Sequence, residues 1–444
     1  MQKTATETSA GFRNLNINPK LLDAITAMGY ETPTPIQEQA IPILNEGKDL
    51  FGVAQTGTGK TLAFAIPLIQ QIGRVKGIGL VMVPTRELAL QVHETFEKIG
   101  RKIGLRTAVV IGGADMHRQI RALKDFPHVI IGTPGRIIDH LTRRTMKLDS
   151  VSVLVLDEAD LMLDMGFAPQ IKRILETVPT KRQTMLFSAT LPPGIQKIAN
   201  DHMVNPVRIE VSPAGTASET VTQKVRYLKP ENKLEALDSL LAENAGSALV
   251  FVRTKHAAKK LTGVLKDKNT NAVEIHSNRS LAQRRAALDG FKRGKHRVLV
   301  ATDIAARGID VSSVGMVINF DMPEKAEDYV HRIGRTGRAG KEGLAFSFAA
   351  PSQRHLVRRI EQLMRMRIDG SGEVSKDFAY AERQTAHVAA GGRRPEFRGG
   401  YSRSKRPASS NGSGYARSGY SRSNQRSGST SRTQSSKSRS YGSR

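Results

Sequence analysis

Residues 151–160 read Val151-Ser-Val-Leu-Val-Leu-Asp-Glu-Ala-Asp160, an apolar run that stops abruptly in three carboxylates. A continuous β-branched and leucine run of this length fits a parallel strand buried on both faces, and such sheets bind ligands just beyond the carboxyl ends of their strands. Asp157 and Glu158 would stand at that edge. Burying acidic groups is costly unless a cation or hydrogen-bond donors offset them, so a bound Mg²⁺ is the natural partner. The plainer reading is an acidic cap on the helix that follows.

A second element, about a hundred residues upstream, decides between the two. Residues 49–61 read D-L-F-G-V-A-Q-T-G-T-G-K-T, an apolar strand and a glycine-containing loop, and the helix-like stretch 62–72 follows. Gly57 and Gly59, flanking Thr58 and preceded by Thr56, let successive backbone amides point at phosphate oxygens. Lys60 would reach the β- and γ-phosphates and Thr61 would ligate Mg²⁺. Ala54 holds the place where this pattern usually begins with Gly. A phosphate loop followed by a strand-terminal Asp-Glu supplies both halves of a Mg-nucleotide site.

The chain has 444 residues, room for two or three domains with their own cores. It contains no Cys, which excludes disulfides and thiolate metal sites and is compatible with a reducing cytoplasm. No apolar signal region opens it and no stretch approaches the length of a membrane span, so a cytoplasmic protein without membrane contact is expected. The formal net charge of +27 calls for an anionic partner. Its distribution is uneven: residues 391–444 hold thirteen Lys and Arg against one acidic residue, Glu396, while the remainder is basic as well. Nucleic acid is therefore expected on the folded body and on the tail.

Strand-like runs at 79–83, 107–111, 128–132, 151–156 and 183–188 alternate with helical stretches, the pattern of a parallel α/β sheet. A small, polar segment over 211–220 reads as a linker. A second series follows at 248–252, 272–276, 298–302, 316–319 and 343–347. Two α/β domains are expected, over 1–210 and 221–368, joined by a hinge that lets a cleft open and close. Residues 369–444 form the expected disordered basic tail, in which Gly400-Tyr-Ser-Arg-Ser404 recurs as Gly419-Tyr-Ser-Arg-Ser423. Arg with interspersed Tyr suits sequence-tolerant RNA binding.

With these motifs in place, residues 11–365 resemble the DEAD-box RNA helicases, and are most similar in style to the bacterial RhlE-like group. The resemblance implies two tandem RecA-like domains, with ATP and Mg²⁺ as the nucleotide and its ion, and RNA as the partner. It implies that Gln37, closing the T-P-T-P-I-Q stretch, reads the adenine edge while Phe12 stacks beside the base, and that Asp310 meets the ribose. Arg86 in Pro84-Thr-Arg-Glu-Leu88, Gly113, and Thr133 with Arg136 in Thr133-Pro-Gly-Arg136 would grip RNA, as would Arg284 and Thr302. The family often has Gln where Leu281 stands. Ser188, Thr190, Asp160, Arg307, His331 and Arg332 would couple the nucleotide site to RNA. Arg335 and Arg338 resemble arginine fingers that stabilise charge on the γ-phosphoryl group.

The implied activity is an RNA-dependent ATPase, catalysed by Lys60, Asp157, Glu158, Arg335 and Arg338, that opens short duplexes or remodels RNA–protein complexes as its domains close. An ATP-gated RNA clamp or annealing factor uses the same residues and is the alternative. Ribosomal precursors and the RNA-decay machinery are the candidate cellular partners.

Overall fold

A computed structural model describes residues 11–55, 57–211, 221–306, 314–337 and 342–370. The first domain is built on seven strands, β1 (Leu50–Val53), β2 (Ile78–Met82), β3 (Thr107–Val110), β4 (Val129–Gly132), β5 (Val151–Leu156), β6 (Gln183–Ser188) and β7 (Val207–Glu210). They pair in parallel in the order β3-β4-β2-β5-β6-β1-β7. The opening run of sequence is β5, near the middle of that sheet. Its Val153 and Val155 join the apolar layer on one face, with Phe64, Phe96 and Phe187, and its Leu154 and Leu156 join the layer on the other, with Met82 and Leu186. Burial on both faces is why the run shows no polar alternation.

The second domain has six parallel strands, β8 (Val221–Tyr227), β9 (Ala248–Phe251), β10 (Ala272–Ile275), β11 (Val298–Ala301), β12 (Met316–Asn319) and β13 (Gly343–Ala349), in the order β10-β11-β9-β12-β13-β8. The edge strands β7 and β8 were not anticipated. β8, V-T-Q-K-V-R-Y, buries only alternate residues, and β7 buries only Ile209, so neither presents the apolar run that marks the central strands. Asp369, counted with the tail in the sequence reading, pairs with β8: its carbonyl accepts from the Val225 amide at 2.8 Å and its amide donates to Gln223. The linker over 212–220 and the basic residues from 371 onward lie outside the described residues, as do Thr56, Arg307, Asp310 and Arg338. Among the described residues no helix is long and apolar enough to cross a membrane.

Candidate active site and nucleic-acid interface

Because the first sheet is parallel throughout, the loops after β1, β2, β3, β4, β5 and β6 all leave its carboxyl edge, and apart from the stretch ending at Gln37 every motif singled out in that domain lies on or beside one of them. The loop after β1 turns through Gly57 and Gly59, at φ of 90° and 93°, before the helix Lys60–Val75 begins. Those angles belong to glycine, and at Gly59 a Cβ would collide with the Gln37 amide. Gln37 itself is buried at the start of helix Pro35–Asn45. It accepts from the Thr34 amide at 2.9 Å and donates to the Gly59 carbonyl at 3.0 Å, so it caps its own helix and also fastens the phosphate loop. The Thr58 hydroxyl donates to the Gln55 carbonyl.

Lys60 Nζ sits 3.2 Å from Glu158 Oε1 and donates to the Ala54 carbonyl at 3.0 Å, with both charged side chains almost wholly buried. Burial opposes the charge on Lys60, yet Glu158, Asp157 and Asp160 outweigh it and hold the ammonium above its ordinary pKa. Asp157 behaves oppositely. Burial, reinforced by Glu158 and Asp160 and resisted by Lys60, pushes its carboxyl up to about 7. Glu158 adopts φ 53°, a left-handed conformation that is strained for any side chain other than glycine's and that recurs at functional sites. These groups, with Thr61 and Tyr30, line a cleft of about 330 Å³.

Asp157 and Glu158 against the single ammonium of Lys60 leave the cleft short of positive charge, which suits a cation. Among the described residues no three acidic, His or Cys side chains converge as a metal cage. A divalent ion here would hold one or two protein oxygens and complete its shell with phosphate and water, which is the habit of Mg²⁺. Thr61 and Asp157 offer such oxygens.

Asp160 is spent differently. Its Oδ2 accepts from the Ala189 amide at 3.1 Å, the Thr190 amide at 2.8 Å and the Thr190 hydroxyl at 2.8 Å, while Oδ1 accepts from the Leu161 amide. The Ser188 hydroxyl donates to the Thr190 carbonyl at 2.7 Å, with Ser188 the buried last residue of β6. This loop abuts the second domain: Gln55, Ala189 and Thr190 share a small cavity with Glu327, Val330, His331 and Gly334. A nearby ion pair, Lys325 to Asp164 at 2.9 Å, also bridges the domains.

A wider groove, about 460 Å³, is lined from the first domain by Arg86, Glu87, Gly112, Thr133 and Arg136, and from the second by Ser277 and Arg284. The Arg86 guanidinium lies over the Gly112–Gly113 turn, where a Cβ on either glycine would crowd it; Gly113 has φ 75°. Burial, with the neighbouring Arg284 and Arg136, holds Arg86 below its ordinary pKa. Arg284 Nη2 reaches Glu87 Oε1 at 2.9 Å with both side chains buried, an ion pair across the two domains. Three guanidiniums gathered around one carboxylate form a cationic surface suited to phosphate oxygens.

Two family models match the chain: DEAD/DEAH box helicase over residues 34–198 and Helicase conserved C-terminal domain over 232–340. A DEAD-box ATP-dependent RNA helicase CshA of Bacillus licheniformis is 45% identical over 382 residues, spanning 85% of this chain and 78% of that protein. This chain belongs to the DEAD-box ATP-dependent RNA helicase family. An ATP-dependent RNA helicase CshA of Listeria monocytogenes is 44% identical over 83% of this chain and 72% of its own length. The names fix the family and give no support to the RhlE-like subgroup expected from sequence. Among solved structures, S. cerevisiae Dbp5 bound to RNA and ADP BeF3 matches with TM-score 0.74 at 29% identity, covering 85% of this chain and 99% of that one. A DEAD box protein from Methanococcus jannaschii is more similar in sequence, 38% identical over 81% and 98% of the two chains, yet superposes at 0.50.

In this DEAD-box chain the remaining motif residues fall into place unevenly. Arg332, expected to couple the nucleotide site to RNA, is buried within the second domain. Its guanidinium holds Asp303 through two bonds of 2.5 and 2.7 Å, donates to Asn319 and the Asp321 carbonyl, and lies over the Phe251 ring. Arg335 is buried and donates to the His331 carbonyl at 3.3 Å. Phe12 is buried in the apolar layer with Leu15 and Leu21 and does not line the cleft; Thr302 directly follows β11 and does not line the groove. Leu281, where the family often has Gln, packs against the apolar layer of the first domain. Glu87, Asp303 and Tyr30 carried no expected role, although Glu87 stands inside the quoted Pro84-Thr-Arg-Glu-Leu88 stretch.

Proposed function

We propose that the chain is an RNA-dependent ATPase whose two domains close together over ATP and RNA, opening a few base pairs of a short duplex in the process. The observation that carries this reading is the pairing of Arg284 with Glu87 in a groove already lined by Arg86 and Arg136. The same residues that would grip RNA also join the domains. The higher superposition on an RNA- and ADP BeF3-bound relative, despite its lower identity, supports a closed arrangement.

Lys60 would bind the β- and γ-phosphates, and phosphate oxygens would draw its ammonium away from Glu158. Glu158 would then be free to orient a water and accept its proton. Thr61 and Asp157 would hold Mg²⁺, which when bound neutralises charge on the phosphate oxygens. Arg335, with Arg338, would approach from the second domain, so neither domain alone would complete the site. Asp160 would report the nucleotide state through Thr190 to the seam beside His331. Contacts made to the sugar-phosphate backbone would leave the groove indifferent to RNA sequence.

Glu158→Gln is the direct test. The variant should bind ATP and RNA and lose turnover by two or more orders of magnitude, the scale of a missing general base. Wild-type ATPase rates in that variant would refute the assignment, and equal stimulation by RNA and DNA would refute the substrate class.

A further inference from the structure

The helix Arg354–Met364 and the turn after it carry Arg354, Arg358, Arg359, Arg365 and Arg367, with Glu361 as the one acidic residue in that stretch. Arg354 and Arg358 stand one helical turn apart and so share a face. Arg365, at φ 55°, turns the chain back, and with Arg367 it closes a groove of about 570 Å³ that is also lined by Tyr227, Val357, Gln362 and exposed Met366. Glu361, whose Oε1 accepts from the Ile368 amide at 3.0 Å, offsets one of these charges and leaves the groove strongly cationic. The adjacent edge strand β8 turns Lys224 and Arg226 outward, and Asp369 lies 4.0 Å from Lys224. None of these residues belongs to the cleft or the groove described above.

We infer that this arginine groove is a second binding surface for single-stranded RNA, one that takes a segment flanking the strand held between the domains. The inference rests on the RNA-dependent reading given above. Guanidiniums offer forked donors to phosphate oxygens, and the exposed Met366 gives a base an apolar resting place. A protein partner would need a buried apolar anchor, and the other apolar residues of the lining, Val357 and Tyr227, are already buried within the domain. The sequence that follows the groove continues the same chemistry, with thirteen Lys and Arg in its last 54 positions, 391–444.

The test uses the full chain and the triple variant Arg358→Ala, Arg365→Ala, Arg367→Ala, all exposed positions. Affinities for a 10-nucleotide and a 30-nucleotide poly(U) strand are measured across a salt series, beside RNA-stimulated ATPase at saturating 10-mer. Losing three phosphate contacts should lower the salt slope for the 30-mer by about 2 and its affinity by on the order of tenfold. The 10-mer affinity and the ATPase should stay unchanged. An unaltered 30-mer slope overturns the inference, as does an acidic peptide that competes for the groove while RNA does not. Should wild-type ATPase fail to respond to RNA at all, the functional reading itself falls, and that outcome is separable from the others.

Discussion

The ion pair between Glu87 and Arg284 makes the proposed closure of the two domains open to an electrostatic test. At 2.9 Å the gross attraction is about 6 kcal/mol at an effective dielectric constant of about 20. Desolvation offsets much of it, and removing one partner of a fully buried pair costs roughly 3–5 kcal/mol because a lone charge remains. Here the lone charge can regain water when the domains part, so the loss should appear in the closure equilibrium, at roughly 2–3 kcal/mol, or about 30- to 150-fold. The chain has no Cys, so dyes placed through Lys172→Cys and Lys259→Cys, both exposed, report the distance between domains without further engineering. In the absence of RNA, Glu87→Gln and Arg284→Gln should each open the molecule, and the double substitution should open it by less than the sum of the two. With RNA the two variants should diverge. Removing Glu87 takes a negative charge out of a groove that also holds Arg86 and Arg136, so RNA affinity should rise a few-fold; removing Arg284 should lower it. Closure within twofold of wild type in both variants, or a shift of RNA affinity in the same direction, would refute the reasoning.

Three other expectations follow from the geometry. Asp157 is raised from 3.8 to about 7, so the nucleotide-free folded chain binds more protons than the unfolded one between those values and loses stability as pH rises through that window. Asp157→Asn should remove this loss, stabilising the metal-free protein at pH 8 by a few kcal/mol while changing it little at pH 4; denaturant midpoints across pH measure it, and a pH-independent difference counts against it. Asp160→Asn weakens an acceptor of three donors from Ala189 and Thr190, and should cost roughly 1.5–3 kcal/mol in stability and uncouple ATPase from RNA. A variant with full RNA stimulation and unchanged unfolding midpoint would contradict that role. Leu281→Gln should weaken closure by roughly 1 kcal/mol, about fivefold, read with the same dye pair, because a half-buried apolar contact with the first domain is lost.

The carboxyl-edge loops were legible because most of them follow a largely apolar and buried strand. Val151–Leu156 is buried on both faces, and a chain leaving such a strand has one place to put its polar residues. Gly57, Gly59 and Lys60 were equally readable, since positive φ and a buried ammonium each demand a residue type. The edge strands β7 and β8 escaped, because a strand that is half exposed carries no run to detect.

What no local pattern encodes is the relative placement of the domains. Arg332 was expected to couple the nucleotide site to RNA, and its bidentate hold on Asp303 with its contact to Asn319 fixes the loop after β11 to the helix Ala326–Ile333 within one domain. Glu87, quoted within Pro84-Thr-Arg-Glu-Leu88, was read as part of an RNA-gripping loop, although an acid is a poor ligand for phosphate. Its purpose becomes visible only when Arg284, nearly two hundred residues away, is brought within 2.9 Å. An acidic residue inside a phosphate-binding motif is therefore a signal in its own right. It asks which cation it holds when RNA is away, and here that cation comes from the other domain.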